Sequence, residues 1–356
     1  RYISVTGVQT CALPIFIHKS KDTTPEPPDL QEILRKMADE KYDYCIMETS
    51  SHGIEFHRLT GCTFKTAVFT NLTQDHLDFH KTMENYLNAK LKLFRWLTPA
   101  DHAIVNIDDP AGEKFLDATR AQTLTYGLSE RAQVRATHIH YRINGTDYTL
   151  VTPGGEIDIH TKLVGRFNIY NALAAVGVAL SQGLDLQSIR SGLEARIWVS
   201  GRFELVEKGQ PFAVVVDYAH TPDGVENVLS LAKSLNPNRV ITVFGCGGDR
   251  DKEKRPIMGE TAARYSDEII LTSDNPRTEE PLQIIEQIAA GCSGASLHRV
   301  PDRGEAIRSA VKMAQPGDIV MLLGKGHETT QTLRDRTIDF NDRIQAEKAL
   351  DDLPAL

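Results

Sequence analysis

Residues 319–328 read IVMLLGKGHE, five apolar residues followed at once by glycine, lysine, glycine, histidine and glutamate. A short apolar run that ends in glycines is typical of a buried strand that leads into a turn. Similar apolar runs occur at 212–216, 240–244 and 268–272, with helical spacing in between at 225–235, 282–290 and 305–314. This alternation predicts a doubly wound, mostly parallel sheet with ligand groups at the carboxyl ends of its strands.

The sequence before residue 201 also indicates α/β structure. We predict strands at 42–47, 66–70 and 103–107, a helix at 83–96, and a hairpin of strands 138–143 and 148–151. Asn144-Gly145 is the predicted turn of that hairpin, because both residues of such a turn need positive φ. We therefore predict one domain over residues 17–200 and a second over residues 201–356. Residues 1–16 fit neither domain and are interpreted as a non-native leader, such as a cloning scar or a sequence-assembly artefact.

The composition excludes several classes of protein. The chain has 356 residues, of which 41% are hydrophobic and 25% charged, as in ordinary globular proteins with room for two domains. Its apolar runs are far shorter than the ~20 residues of a membrane span. Five cysteines without a CxxC pair indicate a reducing cytoplasm, and a net charge of -8 argues against nucleic acid as a partner. We expect a cytoplasmic protein with no membrane or nucleic-acid partner.

Three motifs follow predicted strands of the second domain. Asp274-Asn275-Pro276-Arg277 is either a plain turn or a site where Arg277 holds a carboxylate through two hydrogen bonds. Gly324–Glu328 is either a tight turn before a helix or a loop whose glutamate binds an amine, and it is not a P-loop. Gly245–Asp251 is either a surface turn or a site for an anion. All three are predicted on one edge of the sheet.

Two further motifs end strands of the first domain. Glu48 and His76 could be ligands of a divalent metal, although a lone glutamate or histidine is usually solvated or a cap. Lys90 is by default an exposed helical lysine. His138, His140 and His160 have no fixed spacing, and we assign them no metal.

Taken in order, these motifs resemble those of the Mur ligases, and among them the branch that adds diaminopimelate. The resemblance covers about residues 17–356 and rests on Asp22–Pro25, Glu48–His52, Asn71–Asp78, Ala89-Lys90, Gly165–Asn168, Gly201–Glu204, Asp217–Pro222, Gly247–Arg250, Asp274–Arg277 and Gly324–Glu328. It implies a central P-loop-type ATPase domain, here truncated, followed by a Rossmann-like doubly wound C-terminal domain. The family also has an N-terminal UDP-binding domain.

The resemblance implies an ATP- and Mg²⁺-dependent amide ligase of peptidoglycan precursor synthesis. Such an enzyme adds meso-2,6-diaminopimelate to the glutamate of UDP-N-acetylmuramoyl-L-alanyl-D-glutamate. ATP phosphorylates the glutamate carboxylate, and the amine of the diamino acid then displaces phosphate. We expect a monomer.

The resemblance also implies roles for individual residues. The UDP-muramoyl dipeptide would contact Thr23, Thr24, Ser50 and Arg58. The catalytic residues would be Glu48 and His76, which would hold Mg²⁺, and Lys90, which would be carbamylated and help to position the ion. ATP would bind Asn168, Arg202 and Asp217, contributed by two domains that close on it. The diaminopimelate pocket would consist of Arg250, Asp274, Asn275, Pro276, Arg277, Gly324 and Glu328, in which Arg277 distinguishes diaminopimelate from lysine.

The sequence departs from the family pattern in two places. The phosphate loop TGTNGKT is absent, since Val5-Thr6-Gly7 matches only its first letters, so we expect a truncated chain with crippled phosphoryl transfer and poor solubility. Phe56 stands where the family usually has a glutamine. Two alternatives stay open, a non-catalytic diaminopimelate-binding fragment and another amide ligase of the superfamily. Folylpolyglutamate synthase is disfavoured, because it adds glutamate and has no use for this pocket.

Overall fold

The computed structural model of the chain describes residues 23–73, 76–195 and 198–353. The chain forms two compact units. The first takes the described parts of Arg1–His140, Asp147–Thr161 and Arg166–Arg196, and the second those of Tyr141–Thr146, Lys162–Gly165 and Ile197–Leu356. The expected leader and, within the motifs, Asp22, Gln74 and Asp75 lie outside the described residues.

The N-terminal half of the chain is built around a sheet of six strands. Its elements are α1 Pro27–Asp39, α2 Ser51–Glu55, β1 Thr66–Phe69, α3 Leu77–His80, α4 Met83–Arg95, β2 His102–Asn106, α5 Gly112–Asp117, β3 Gln122–Gly127, β4 Val134–Arg142, β5 Gly145–Thr152, β6 Gly155–Thr161, α6 Arg166–Ser181 and α7 Leu186–Ala195. The strands lie side by side in chain order, and β1 to β4 pair in parallel.

The core of the first unit explains why α4 was predictable. Its apolar residues recur at helical spacing, and Tyr86, Leu87, Leu91 and Phe94 are all buried. Phe94 packs edge-on against Phe115, which in turn stacks on Phe69 of β1. The helix is thus fixed against the sheet by the face that the sequence pattern marks as apolar.

The C-terminal half contains a second six-stranded sheet. Its elements are β7 Glu204–Leu205, β8 Ala213–Asp217, α8 Pro222–Ser234, β9 Val240–Phe244, α9 Lys254–Tyr265, β10 Glu268–Leu271, α10 Pro281–Ala289, β11 Ser296–Arg299, α11 Arg303–Met313, β12 Ile319–Leu323, β13 Thr330–Thr332, β14 Thr337–Asp339 and α12 Asp342–Asp351. The sheet order is β11-β10-β9-β12-β8-β7, and only β7 is antiparallel to its neighbour. The predicted α/β fold class is confirmed.

The central strands β9 and β12 are buried at every residue. A parallel strand covered on both faces reads as a continuous apolar run, which is why the sequence predicts both strands with their observed bounds. Among the described residues, no helix is long and apolar enough to cross a membrane.

Two local expectations are wrong. Residues 42–47 form no strand beyond a single bridge at Ile46; Asp43 interrupts the apolar run, and the side chains of Tyr44 and Ile46 are exposed rather than packed in a core. The hairpin turns at Ile143-Asn144, with Gly145 already in β5, and neither Asn144 nor Gly145 has a positive φ. Of the two alternatives left open for Gly324–Glu328, the turn before a helix is excluded, since the loop after β12 leads into the antiparallel pair β13 and β14.

Candidate functional site

The carboxyl ends of β8, β9, β10 and β12 meet at one edge of the second sheet. Backbone hydrogen bonds join the segments that follow them, from Gly324 N to Asp217 O (3.1 Å) and from Gly248 N to Asn275 O (2.9 Å). Parallel strands place their carboxyl ends together, so motifs far apart in sequence become neighbours here. The structure therefore brings together the three motifs that follow β9, β10 and β12.

Asn275 and Glu328 form the polar centre of this edge. The Asn275 Nδ2 donates to Glu328 Oε2 (3.0 Å), and Lys325 Nζ donates both to Glu328 Oε2 (2.7 Å) and to Asn275 Oδ1 (3.1 Å). Burial by itself would raise the pKa of Glu328, but the hydrogen bonds from Lys325 and Asn275 outweigh it and hold that pKa below its ordinary value. Glu328 is therefore an anion held in place from one side.

Asp274 lies beside this centre and is almost completely buried. Burial raises its pKa, and the positive charges of Arg303 and Lys325 oppose that rise. Gly324 has a φ of +109°, and a Cβ on it would come within 2.8 Å of Asp274 Oδ2. The glycine thus allows the loop after β12 to approach the carboxyl group of the loop after β10.

Two arginines border the same edge. Arg277 adopts a left-handed backbone conformation (φ 52°) and donates from Nη1 to Gly248 O (2.6 Å). Arg250 is exposed, and its Nη1 donates to its neighbour Asp249 O (3.2 Å). Each guanidinium group has several N–H donors, and such groups suit a carboxylate ligand.

Asp217 and the residues around it form a second group at the end of β8. Phe203 N and Ala219 N donate to the two carboxylate oxygens of Asp217 (2.7 and 2.8 Å), and burial raises the pKa of this carboxyl. Arg202 places its guanidinium 4.8 Å from the centre of the Tyr218 ring. The structure places Asn168, the third residue expected to bind ATP, in α6 of the first unit, where it is buried.

Sequence reasoning did not single out His327, which belongs to this second group. Its ring lies 5.2 Å from that of Tyr218. Burial and the charge of Arg202 lower its pKa, and Nδ1 has no hydrogen-bond partner among the described residues. Its place in the Gly324–Glu328 motif was the one signal available in the sequence.

In the first unit, Thr24 and Ser50 are joined by hydrogen bonds. Thr24 Oγ1 accepts from Ser50 N (2.9 Å), and Ser50 Oγ caps α2 by accepting from Gly53 N (3.0 Å). Arg58 donates to Thr24 O (2.9 Å) and pairs with Glu26. Three of the four residues expected to bind the dipeptide are therefore joined, while Thr23 is exposed next to them in the chain.

Two of the residues expected at the metal centre, His76 and Lys90, lie in a cluster of histidine, tyrosine and lysine side chains. His52 lies 4.8 Å from His76 and 5.6 Å from His80, measured between ring centres, and Lys90 Nζ lies 5.1 Å from the centre of the Tyr86 ring. Burial lowers the pKa of His80, and His52, His76 and Lys90 lower it further. Glu48 is exposed. In the described part of the chain, no three His, Cys, Asp or Glu side chains form a metal-binding group.

Comparison with known proteins identifies the family. Residues 2–179 match the Mur ligase middle domain, and residues 201–326 match the glutamate ligase domain of Mur ligases. Over 339 residues the chain is 48% identical to the UDP-N-acetylmuramoyl-L-alanyl-D-glutamate--2,6-diaminopimelate ligase of Bacillus velezensis, spanning 94% of this chain and 69% of that protein. The chain belongs to the Mur ligase family.

Solved structures of Mur ligases agree with this assignment. A structure of a UDP-N-acetylmuramoyl-L-alanyl-D-glutamate--2,6-diaminopimelate ligase has a TM-score of 0.67 and 37% identity, over 91% of this chain and 67% of that one. The MurF ligase of Thermotoga maritima, solved with ADP, has a TM-score of 0.60 over 80% of this chain and 61% of that one. At 17% identity the second likeness shows the fold alone.

Proposed function

We propose that this Mur ligase adds meso-2,6-diaminopimelate to the glutamate of UDP-N-acetylmuramoyl-L-alanyl-D-glutamate in peptidoglycan precursor synthesis. The observation that carries the proposal is the joining of Glu328, Asn275 and Arg277 at one sheet edge. An anion and a cation on the same sheet edge suit an amino acid, which carries an ammonium and a carboxylate group. Relatives at 44% to 48% identity carry the name of this activity.

Glu328 would receive the ammonium group of the far end of diaminopimelate. Lys325 and Asn275 both bind its Oε2, whereas no hydrogen bond from any described residue reaches Oε1. Arg277, with Arg250 beside it, would hold the carboxylate of the same end. Lysine has an ammonium there but no carboxylate, so it would leave the arginines without a partner.

The other amino group of diaminopimelate attacks the glutamate of the precursor. Held at its far end by ionic hydrogen bonds, the diamino acid would present this group in a fixed position, which lowers the entropic part of the barrier. In the first unit, Thr23, Thr24, Ser50 and Arg58 would bind the UDP-muramoyl dipeptide. Their mutual hydrogen bonds fix Thr24 and Ser50 before any substrate arrives.

Glu48 and His76 would hold Mg²⁺, an ion that keeps several waters and takes few protein ligands. The basic cluster around Lys90 would repel another cation, and carbamylation of Lys90 would relieve this by making it an anion. When bound, ATP and Mg²⁺ would activate the glutamate carboxylate.

Asn168, Arg202 and Asp217 would bind the nucleotide. Asp217 would position Arg202 and Tyr218. Its two carboxylate oxygens accept hydrogen bonds from Phe203 N and Ala219 N, the residues that follow Arg202 and Tyr218 in the chain. Arg202 would then offer its charge to phosphate from a fixed position.

We also propose a central domain at 17–200 and a C-terminal domain at 201–356.

We propose a cytoplasmic monomer. Cys45, Cys62, Cys246 and Cys292 are free thiols in the described part of the chain, which fits a reducing compartment. Thermal melting in the presence and absence of a reductant tests whether the thiols are free, since a protein without disulfides should unfold at the same temperature in both.

Phosphate release tests the proposed activity. Residues 17–356 are joined to the upstream segment of a relative, so that the assay does not depend on residues 1–16. The fusion receives the UDP-muramoyl dipeptide, ATP and Mg²⁺, with either meso-diaminopimelate or lysine. Release with diaminopimelate and little with lysine is expected. Release with lysine alone would overturn the assignment, and diaminopimelate binding without release under any metal condition would favour the non-catalytic alternative.

A further inference from the structure

Lys325 is an unusual lysine because its side chain has no solvent exposure. Burying an ammonium group away from water is costly unless hydrogen-bonded anionic or polar groups surround it. Its Nζ meets two such groups, Glu328 Oε2 at 2.7 Å and Asn275 Oδ1 at 3.1 Å. These partners belong to two different motifs of the amino-acid pocket, and Lys325 is the side chain that binds both.

The backbone around Lys325 is built to turn it inward. Gly324 and Gly326 flank it, both with positive φ (109° and 52°), which residues with a side chain rarely adopt. A Cβ on Gly326 would come within 2.6 Å of the Tyr218 Cβ, so the loop passes close against the end of β8. The two glycines therefore let the loop fold over the lysine side chain.

The contacts of Lys325 also decide how its partners are oriented. An asparagine amide can rotate by half a turn and exchange its oxygen and nitrogen. Here Lys325 Nζ and Thr332 N both donate to Asn275 Oδ1, which leaves Nδ2 to donate to Glu328 Oε2. Among the described residues, the hydrogen bonds to the Glu328 carboxylate then fall on Oε2, and Oε1 is left for a ligand.

We propose that Lys325 is a positioning residue, which keeps Glu328 ionised and fixes the orientation of Asn275 without touching the substrate itself. The inference rests on the proposed function, since it assumes that Glu328 receives the ammonium of diaminopimelate. A competing reading is that the Lys325 ammonium competes with the ligand for Glu328. The two readings predict opposite effects of removing the charge.

Lys325→Met removes the ammonium and keeps a straight side chain of similar length. Lys312→Met is the matched control, because Lys312 is exposed at the end of α11. Two measurements are made on the full chain. One is an NMR titration of Glu328 in ¹³C-carboxyl-glutamate protein, assigned by comparison with Glu328→Gln. The other is calorimetric binding of meso-diaminopimelate from pH 5 to 8.

We expect Lys325→Met to raise the pKa of the Glu328 carboxyl. The control Lys312→Met should leave that pKa unchanged. Affinity for diaminopimelate should fall by about ten- to a hundredfold, the range for one lost charged hydrogen bond, and most at low pH where Glu328 takes up a proton. A merely structural lysine would leave both the titration and the pH profile unchanged. Unchanged titration, or tighter binding in Lys325→Met, overturns the proposal.

The titration needs no ligand, so it separates this inference from the proposed function. If the unaltered chain binds no diaminopimelate while Lys325→Met still raises the pKa of Glu328, the function fails and the positioning role stands. If Lys325→Met does not fold, the double variant Lys325→Met/Glu328→Gln decides. Recovery of folding in the double variant supports the pairing, because the unpaired carboxylate is gone. Failure to recover overturns it.

Discussion

Arg255 and Glu279 form a buried ion pair that helps to hold the loop that carries Arg250, and Lys252 also pairs with Glu279 (3.3 Å). The Arg255 side chain is fully buried, and its guanidinium binds both Glu279 oxygens and Gly247 O. Glu279 in turn accepts from Asp249 N (2.7 Å). The pair thus ties the loop after β9 to the segment after Arg277.

Glu279 should contribute to stability in a pH-dependent way. The hydrogen bonds from Arg255 outweigh burial and lower its pKa from 4.5 to about 2. Because the folded pKa is the lower one, its stabilisation is complete above about pH 4.5 and is lost as the pH falls towards 2. Denaturant unfolding of Glu279→Gln should show a deficit at pH 7 that shrinks on acidification.

The exposed pair of Glu286 and Arg299 provides the control for this experiment. Glu286→Gln should change stability little at any pH, because exposed ion pairs contribute ~0–1 kcal/mol. A deficit of Glu279→Gln that stays constant down to pH 2 would contradict the account.

Arg277→Lys tests the second ionic contact of the pocket. Lysine keeps the charge but cannot form two parallel hydrogen bonds with a carboxylate. Diaminopimelate affinity, measured by calorimetry, should fall by about tenfold or more, since one charged hydrogen bond contributes ~1.5–3 kcal/mol. The exposed Arg299→Lys should bind as the unaltered chain does, and equal affinity in Arg277→Lys would exclude a clamping role.

At the scale of elements, the loop between β12 and β13 depends on its glycines. Gly326→Ala places a Cβ against Tyr218 in a left-handed conformation and should destabilise the chain by about 2 kcal/mol or more. Gly192→Ala is the matched control, because Gly192 lies in α7 with no atom within 4 Å of an added Cβ. It should instead stabilise by up to about 1 kcal/mol. Thermal unfolding measures both effects. Equal effects of the two substitutions would show that the loop does not depend on Gly326.

The start of α8 offers a second test at this scale. Thr221 caps the helix by accepting a hydrogen bond from Gly224 N (3.1 Å). Thr221→Ala should cost ~1 kcal/mol of the free energy of unfolding, the usual effect of a lost N-cap. Thr60→Ala, an exposed threonine in a turn, should change it by less than about 0.5 kcal/mol. Equal effects in urea unfolding would show that the cap contributes nothing.

The elements also show what the sequence can and cannot predict. β9 and β12 were predictable because burial on both faces leaves only apolar residues in them. The segment 42–47 is mostly apolar but contains Asp43, and strand formation also depends on long-range pairing that the local sequence does not reveal. Lys325 was missed for a similar reason, since lysines are exposed by default and its partner Asn275 is distant in sequence.

At the scale of the molecule, each unit contains its own set of candidate binding residues. The first unit joins Thr24, Ser50 and Arg58, and the second joins Asn275, Lys325 and Glu328 with Arg277 beside them. The positions of the three motifs that follow β9, β10 and β12 were predictable from the alternation of strands and helices in the second unit. The hydrogen bonds between motifs follow from the sheet order, which the sequence alone does not specify.

The central claim is that the edge of the second sheet selects diaminopimelate. Calorimetric titration of the chain with meso-diaminopimelate and with lysine tests it most directly, because it needs neither nucleotide nor precursor. The account predicts binding of diaminopimelate at least about tenfold tighter than that of lysine, from the contact of Arg277 with the second carboxylate. Equal or tighter binding of lysine would contradict it.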